Sequence, residues 1–297
     1  MILLGVVVLF WGLSWYAIAL QIGDTHPVVS IAWRFGIAGI VLCAWLKLRS
    51  EFQAPTRSQL PLLCALSVCL FCANFISFYF AASYITSGLI SIVFAAAVFI
   101  TVFNQWVWAG IKPMPRTLLG AAFGVTGIAT LFAPSLFSTV AADQYNTMIG
   151  LSLSVLGTWF FSVGNLVSAA LSKQAHTPSM IGSGMLIGAT ICTAAALVLG
   201  ESMALPMDAT YLAALVYLAI GASVIAFVAY LTLVAQAGAA QAGYATVLFP
   251  IVALAVSTLL EGYQWSLPSV LGVVLASMGA FIVFYRSPAT GSSHGEA

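Results

Sequence analysis

The sequence has very little charge. Eight basic and seven acidic residues make up 5% of its 297 residues, whereas an ordinary soluble domain has roughly 25% charged residues. So few ionised side chains cannot cover a folded chain of this size in water, which excludes an ordinary soluble protein. The net charge of +1 also lacks the basic excess of a nucleic-acid-binding surface, so no nucleic-acid partner is expected.

Residues that support catalysis or metal binding are scarce inside the apolar segments. His26, His176 and His294 all lie in predicted loops or in the tail. The five cysteines lie in apolar stretches, with a spacing that fits neither a zinc site nor a disulfide framework. Without a histidine in a span, no serine has an activating base beside it. We therefore expect no enzyme activity, no metal and no cofactor.

Long apolar runs are what the sequence does contain, since 62% of its residues are hydrophobic. A membrane-spanning helix needs about 20 mostly apolar residues. Pro250 alone lies well inside a predicted span and predicts a kink in the ninth helix. Ten runs of this kind predict an all-α integral membrane protein, at residues 2–22, 28–47, 61–82, 85–109, 116–134, 148–171, 179–199, 210–233, 240–260 and 268–285.

The basic residues predict an orientation in the membrane. Cytoplasmic loops of membrane proteins carry an excess of Lys and Arg. If the N-terminus is cytoplasmic and the spans alternate, seven of the eight basic residues lie on the cytoplasmic side. We therefore expect both termini in the cytoplasm. The seven are Lys47, Arg49, Arg57, Lys112, Arg116, Lys173 and Arg286.

The two halves of the chain are similar to each other. Trp11-Gly12-Leu13-Ser14 in the first span resembles Trp159-Phe160-Phe161-Ser162 in the sixth, and Pro113 matches Pro268. Because each half has an odd number of spans, the second copy must enter the membrane from the other side, as in many secondary transporters. The domains expected are a first five-helix repeat with its connecting loop, a second inverted five-helix repeat and a flexible tail, at 1–147, 148–286 and 287–297.

Three stretches carry a family resemblance: FWGLSWYAIAL, WRFGIAGIVL and LLEGYQWSLPSVLGVVLASMGAFIV. Over nearly the whole chain the sequence resembles the EamA-type branch of the drug/metabolite transporter superfamily, and within it the YddG-type aromatic amino-acid exporters of bacterial inner membranes. The resemblance implies two inverted-topology five-helix repeats around a central cavity, which move substrate by alternating access. One departure is that Glu261 precedes the last helix, whereas the first repeat has Trp108-Ala109-Gly110-Ile111 at the matching place.

Polar and aromatic side chains recur at helical spacing within the spans and predict the lining of a wet pocket. Spans one, three, four, six, eight and nine carry these stripes. The alternative is that the hydroxyls bond to their own helices and the rings pack as core; for Tyr79 and Trp159 the two interpretations are evenly balanced. The predicted substrate-binding residues are Trp15, Asn74, Phe78, Tyr79, Phe94, Trp159, Ser162, Asn165 and Tyr230.

Arg34 is the one basic residue well inside a span, about 10 Å deep at 1.5 Å per residue. We expect it to form a gating or structural ion pair with Glu261 or Asp24, or to snorkel outward. Direct contact with a substrate carboxylate is the alternative.

These features together predict a bacterial inner-membrane exporter of amino acids, aromatic and other apolar ones first. No Asp, Glu, Lys or His lies in the middle third of a span, so we expect a facilitator and not a proton-coupled pump. Efflux of drugs or other small metabolites is the alternative, and a membrane receptor that moves nothing is a more distant one.

The expected partners are the amino-acid substrate and the lipid bilayer. The protein is expected to be a monomer or a homodimer, because small residues in the fifth and tenth spans allow close helix packing and suggest a dimer face. These residues are Gly120, Gly124, Gly127, Gly272 and Gly279.

Overall fold

The structure, a computed structural model, describes residues 2–23, 25–237 and 239–284. Within these ranges the chain forms ten helices and no strand. Three of them contain an irregularity: α3 (Leu60–Ala81), α4 (Ser87–Ala95 and Ala97–Ala109) and α8 (Ala209–Val216, Tyr217–Ile225 and Ala226–Ala237). The others are α1 (Ile2–Ala19), α2 (Pro27–Leu48), α5 (Pro115–Leu136), α6 (Ala141–Leu171), α7 (Thr177–Val198), α9 (Ala239–Leu260) and α10 (Leu267–Phe284).

The helices have the length and surface of membrane spans. Eight of those described are long and apolar enough to cross a bilayer, and shorter apolar stretches, Leu248–Leu260 and Leu267–Val283, lie in α9 and α10. Large apolar side chains such as Ile40, Val125 and Leu271 lie on the outside of the bundle, where lipid is the solvent that suits them. The predicted all-helical, multi-span fold is confirmed; most boundaries lie within a few residues of those expected, but α6 begins at Ala141, seven residues before its predicted start.

The contacts between the helices are symmetric with respect to the two halves of the chain, α1 to α5 and α6 to α10. Helix α2 packs on α7, α4 on α9, and α5 on α10. Helix α1 packs on α8 and α9, and its counterpart α6 packs on α3 and α4. If each helix is replaced by its counterpart in the other half, every one of these contacts becomes itself or another observed contact. A duplicated five-helix unit packs in this way.

Irregular turns interrupt three spans that the sequence predicts as continuous. Helix α3 contains a π-helical turn at Cys69–Ala73, and α8 contains one at Tyr217–Ile225, the corresponding span of the other half. Helix α4 breaks at Ala96. Turns of the π type often occur at functional sites in helices, so these positions mark where the wall of the bundle departs from regular packing.

The two internal prolines differ in how well the sequence predicted them. Pro250 lies inside α9, as expected from its place within a span. Pro134 is expected to end the fifth span, but α5 continues through it to Leu136. A proline near the end of a helix removes only one backbone hydrogen bond there, which is why the last turn can include it.

The glycines of α5 and α10 face each other across a very close helix contact. A Cβ added to Gly127 would lie 2.4 Å from the backbone N of Ala276, and one on Gly279 would lie 2.5 Å from the carbonyl O of Gly120. The close packing predicted for these glycines is therefore present inside one chain. Because their faces are occupied there, they no longer argue for a dimer face.

Contacts between the connecting loops define the two ends of the bundle. At the end that carries loops 49–59, 110–114 and 172–176, here called the basic end, Gln59 Nε2 donates to the carbonyl O of Gln174 at 2.7 Å. At the other end, here called the opposite end, the hydroxyls of Ser30 and Tyr211 are 2.8 Å apart. Both contacts join the first half of the chain to the second.

Candidate functional site

Aromatic side chains from six helices meet in the middle of the bundle. The Trp15 ring centroid lies 5.1 Å from that of Phe78 and 5.5 Å from that of Phe94. The Phe94 ring lies 4.5 Å from Phe161. These are the helices whose stripes were expected to line the pocket. We call this group the aromatic centre; it consists of Trp11, Trp15, Phe78, Phe94, Phe161, Phe227, Tyr230 and Phe249.

The aromatic centre is closed more tightly toward the opposite end than toward the basic end. Trp15 and Phe78 are buried, and so is Tyr79 beyond them. On the other side, Gln105 and Asn165, which continue the stripes of Phe94 and Phe161 toward the basic end, are only half-buried. The side chains that flank the centre are thus more deeply buried toward the opposite end than toward the basic end.

A buried group of hydrogen-bonding side chains adjoins the aromatic centre. The Tyr79 hydroxyl donates to Gln21 Oε1 at 2.7 Å, and Arg34 Nε donates to the Ser223 hydroxyl at 3.2 Å. The guanidinium lies beside the Tyr79 phenol and 4.4 Å from the centroid of the Phe75 ring. We call Gln21, Arg34, Tyr79 and Ser223 the polar cluster.

The expected ion pair between Arg34 and Glu261 does not form in the described part of the chain. The Glu261 carboxylate instead accepts from the backbone N of Ser87 at 3.2 Å and from its hydroxyl at 2.6 Å. An anion at the first turn of a helix is stabilised by the free N–H groups and the helix dipole, which explains this choice. The other expected partner, Asp24, lies outside the described residues.

Arg34 does not snorkel to the surface either. Its side chain is 4% exposed, and its guanidinium contacts Phe75 and Ser223, from helices α3 and α8. The guanidinium therefore lies among the helices of the bundle.

Trp159 and Ser162, both expected in the pocket, lie away from the aromatic centre. Trp159 is 37% exposed and packs edge-on against Trp108 at 6.3 Å between centroids. The Ser162 hydroxyl accepts from Asn104 Nδ2 at 2.8 Å, which ties α6 to α4. The side chain of α6 that enters the centre is Phe161, because successive residues of a helix point about 100° apart.

The two asparagines have different surroundings. Asn74 is buried directly after the π-helical turn of α3, and its Oδ1 accepts from the backbone N of Phe75 at 2.7 Å. Its carbonyl group therefore satisfies its own helix. Asn165 lies half-buried one turn beyond Phe161 on the same face of α6, so it remains the better placed of the two to meet a solute.

Most of the hydroxyls in the predicted stripes bond to their own helices. Such a bond satisfies the hydroxyl donor within one segment and leaves little of it for a solute. The site is consequently more aromatic and less hydroxyl-rich than the stripes suggest. The bonds run from Ser14 to Trp11 O, Ser67 to Leu63 O, Ser77 to Ala73 O, Ser91 to Gly88 O, Thr101 to Ala97 O, Ser154 to Gly150 O and Thr158 to Ser154 O.

Several of the important side chains are missing from the expected site residues. Phe161 and Trp11 lie on stripes that the sequence shows, so helical spacing alone could have selected them. Phe249 lies between Ala245 and Ala253 on a mostly apolar helix face, and Asn104 is adjacent to the stripe through Gln105 without belonging to it. Among the described residues, no three His, Cys, Asp or Glu side chains come together as a metal site would require.

Curated proteins similar to this chain include three from enteric bacteria. Protein PagO of Salmonella typhimurium is 23% identical over 95% of this chain and 91% of its own length. The uncharacterized inner membrane transporter YedA of Escherichia coli is 25% identical over 92% of this chain and 89% of its own. A probable amino-acid metabolite efflux pump of Escherichia coli is 24% identical, over 93% and 91%.

A solved crystal structure shares the fold, with a TM-score of 0.67 at 18% identity and with 95% of each chain covered. The sequence profile of the EamA-like transporter family matches residues 1–133 and again residues 148–285. The profile covers nearly all of the chain, so the resemblance carried by its motifs is confirmed: the chain belongs to the EamA-like transporter family.

Proposed function

We propose that this membrane transporter exports amino acids with aromatic or other apolar side chains from the cytoplasm. The observation that carries the proposal is the aromatic centre, in which rings from six helices converge at mid-bundle. Ring faces and edges attract other aromatic groups, and ring faces also attract an ammonium group. A zwitterion with an apolar side chain can make both kinds of contact with such a wall.

Alternating access is supported by the asymmetric closure of the bundle. The side chains that flank the centre toward the opposite end are buried, and those toward the basic end are half-buried. If the basic residues lie in the cytoplasm, as the charge distribution favours, this conformation is the one that receives a cytoplasmic solute. The π-helical turns of α3 and α8 and the break at Ala96 in α4 provide places where the wall can change its packing.

The sequence favours transport down a gradient, without a proton relay. Proton-coupled transporters commonly use an acid or a histidine buried at mid-membrane. Here Glu261 lies just beyond the end of α9 and is engaged by Ser87, and no span has an acid, a lysine or a histidine in its middle third. The bacterial inner membrane and cytoplasmic termini belong to the same proposal.

The relatives offer limited support for the substrate class. One of them, at 24% identity, is named a probable amino-acid metabolite efflux pump. That name agrees with an amino-acid-like solute, but at this identity it does not by itself assign a substrate to this chain. Efflux of cationic drugs is less favoured, because a cation would need a carboxylate partner in the pathway, and the described part of the aromatic centre offers none.

The test is an export assay on bacterial cells with and without the gene. Cells are loaded with phenylalanine, leucine or threonine by feeding dipeptides, and separately with a quaternary amine. The proposal predicts faster appearance of phenylalanine and leucine in the medium on expression, with threonine and the amine unchanged. Amine efflux without amino-acid export would support a drug transporter, and binding without any flux would support a receptor; either result contradicts the proposal.

The mode of coupling needs purified protein in proteoliposomes. Radiolabelled phenylalanine is moved along its own gradient with the pH equal on both sides and clamped by buffer. A facilitator gives the same initial rate with and without a pH gradient. A strict requirement for the pH gradient would refute the uncoupled mechanism while leaving the substrate class intact.

A further inference from the structure

The polar cluster contains two buried hydrogen-bond donors that lack an acceptor among the described residues. Nη1 of Arg34 and Nε2 of Gln21 are buried, and neither has a hydrogen-bond partner in the described structure. Burying such groups unpaired is unfavourable, and it is most unfavourable for a charged group. A bound solute that carries an acceptor would satisfy both donors for part of the transport cycle.

The other contacts of the cluster leave these groups in place as donors. The Tyr79 hydroxyl donates to Gln21 Oε1 at 2.7 Å, so the carbonyl of Gln21 is used and its NH₂ group remains. The guanidinium is held through Nε by Ser223 and lies over the ring of Phe75. Both side chains are held by their neighbours, and the group of each that remains without a partner is an N–H donor.

We propose that Arg34 and Gln21 together bind the carboxylate of the transported solute. The inference rests on the proposed function and narrows it, since it makes a free carboxylate a requirement for transport. A guanidinium N–H donates a charge-assisted hydrogen bond to a carboxylate oxygen, and Nη1 is the guanidinium nitrogen of Arg34 that has no partner among the described residues. The Gln21 amide supplies an additional donor.

The location of the cluster fits a solute that also contacts the aromatic centre. The Phe75 ring under the guanidinium lies 6.4 Å from the ring of Phe78, a member of the centre. On the α8 side, Ser223 follows Ala222, whose carbonyl O accepts from Trp11 Nε1 at 3.2 Å. The two groups therefore adjoin on two sides. One amino acid can place its carboxylate at Arg34 and its side chain among the rings.

A purely structural role for Arg34 makes a different prediction. As a tether between α2 and α8 through Ser223, it would support the folded protein equally for every solute. As a carboxylate ligand, it would matter for acids and be nearly irrelevant for an analogue without the acid. Phenylalanine and phenylalaninamide differ in this group alone, so the pair separates the two roles.

The experiment measures uptake of both compounds by proteoliposomes that contain wild type, Arg34→Gln or the control Arg49→Gln. Arg49 is an exposed arginine that pairs with Glu51 at the basic end. Loss of a charge-assisted hydrogen bond to the ligand predicts a fall in kcat/KM for phenylalanine of about tenfold to a hundredfold in Arg34→Gln. Transport of phenylalaninamide is expected to be slow in wild type and should change much less, and Arg49→Gln should match wild type for both.

Two further variants keep the test decisive if Arg34→Gln is poorly folded. Arg34→Lys keeps the charge but loses the planar group, and Gln21→Leu removes only the amide. Each should reduce the preference for phenylalanine over phenylalaninamide. Equal losses for both compounds, or an unchanged preference in all the variants, would overturn the carboxylate site.

A binding readout separates this inference from the proposed function. The thermal stability of purified protein is measured with phenylalanine, phenylacetate and phenylalaninamide. Stabilisation by the two acids that disappears in Arg34→Gln supports the carboxylate site, even in a wild type that exports no amino acid. Stabilisation that is the same with and without Arg34 refutes the site, whatever the flux assay shows.

Discussion

A methyl group at Gly127 tests how tightly α5 and α10 are packed. In the variant Gly127→Ala the new Cβ would lie 2.4 Å from the backbone N of Ala276 and 2.7 Å from the carbonyl O of Gly272. Ordinary contacts of a Cβ are about 3.4–4 Å, and both neighbours are backbone atoms that no rotamer change can move. The two helices must therefore separate by roughly 1 Å along their contact.

The cost can be estimated from two opposing terms. Overpacking a tight interface costs about 1–3 kcal/mol, and replacing a glycine by alanine within a helix returns up to about 1 kcal/mol. We expect a net loss of about 1–2 kcal/mol for Gly127→Ala. The matched control is Gly36→Ala in the middle of α2, where the new Cβ would lie 3.8 Å from the Cβ of Ala189, an ordinary contact, so this variant should be neutral or slightly more stable.

Unfolding of the purified variants in mixed micelles, followed by tryptophan fluorescence or by heating, measures the difference. The two substitutions add the same methyl group in different surroundings, and their stabilities should differ by about 1–3 kcal/mol. Equal stability of the two variants would show that the helices are not in this close contact. A change in oligomeric state at unchanged stability of the protomer would instead restore the dimer face that the sequence suggested.

Two other interhelical contacts give measurable predictions. Glu261→Gln removes the charge that holds the first turn of α4 through Ser87. The rate of amide hydrogen exchange in that turn should then rise about tenfold. The control Glu51→Gln, on an exposed loop, should leave the rate unchanged. Equal rates in both variants would show that the contact contributes nothing. Asn104→Ala removes the hydrogen bond to Ser162. A double-mutant cycle with Ser162→Ala should give a coupling free energy of about 0.5–1.5 kcal/mol, typical of hydrogen bonds within membranes. A coupling free energy of zero would contradict the contact.

The spans could be predicted because they depend on a bulk property of the sequence. Apolar length defines a span whatever its neighbours are. Helices selected by helical spacing for the pocket wall contribute rings to the aromatic centre, while substrate binding by these rings stays a prediction. Trp15, Phe78 and Phe94 were expected there and lie there.

The remaining errors concern local geometry that the sequence does not display. The π-helical turns of α3 and α8 rotate the residues that follow them, and no residue type in Cys69–Ala73 or Tyr217–Ile225 marks such a turn. The break at Ala96 lies in a run of alanines, which favour helix. Tertiary packing therefore determines these irregularities. Residues on the two sides of an irregular turn no longer lie on the helix face that regular helical spacing predicts.

For Trp159 the sequence left pocket lining and core packing evenly balanced. In the structure its side chain is 37% exposed and packs against Trp108, away from the aromatic centre. The stripe through Thr158, Phe161 and Asn165 already pointed to the neighbouring phenylalanine. Arg34 was expected to find an acid because buried charges usually do, but Glu261 is held by Ser87 at the end of α4.

Phe161 and Trp159 provide the most direct test of the aromatic centre as the place where solute binds. They lie two residues apart on α6, Phe161 against Phe94 and Trp159 on the outside of the bundle. The measurement is counterflow of labelled phenylalanine into proteoliposomes loaded with unlabelled phenylalanine, for Phe161→Ala and Trp159→Ala. Loss of one aromatic contact predicts a KM raised about threefold to tenfold in Phe161→Ala and an unchanged KM in Trp159→Ala. A raised KM in Trp159→Ala with normal transport by Phe161→Ala would contradict the account.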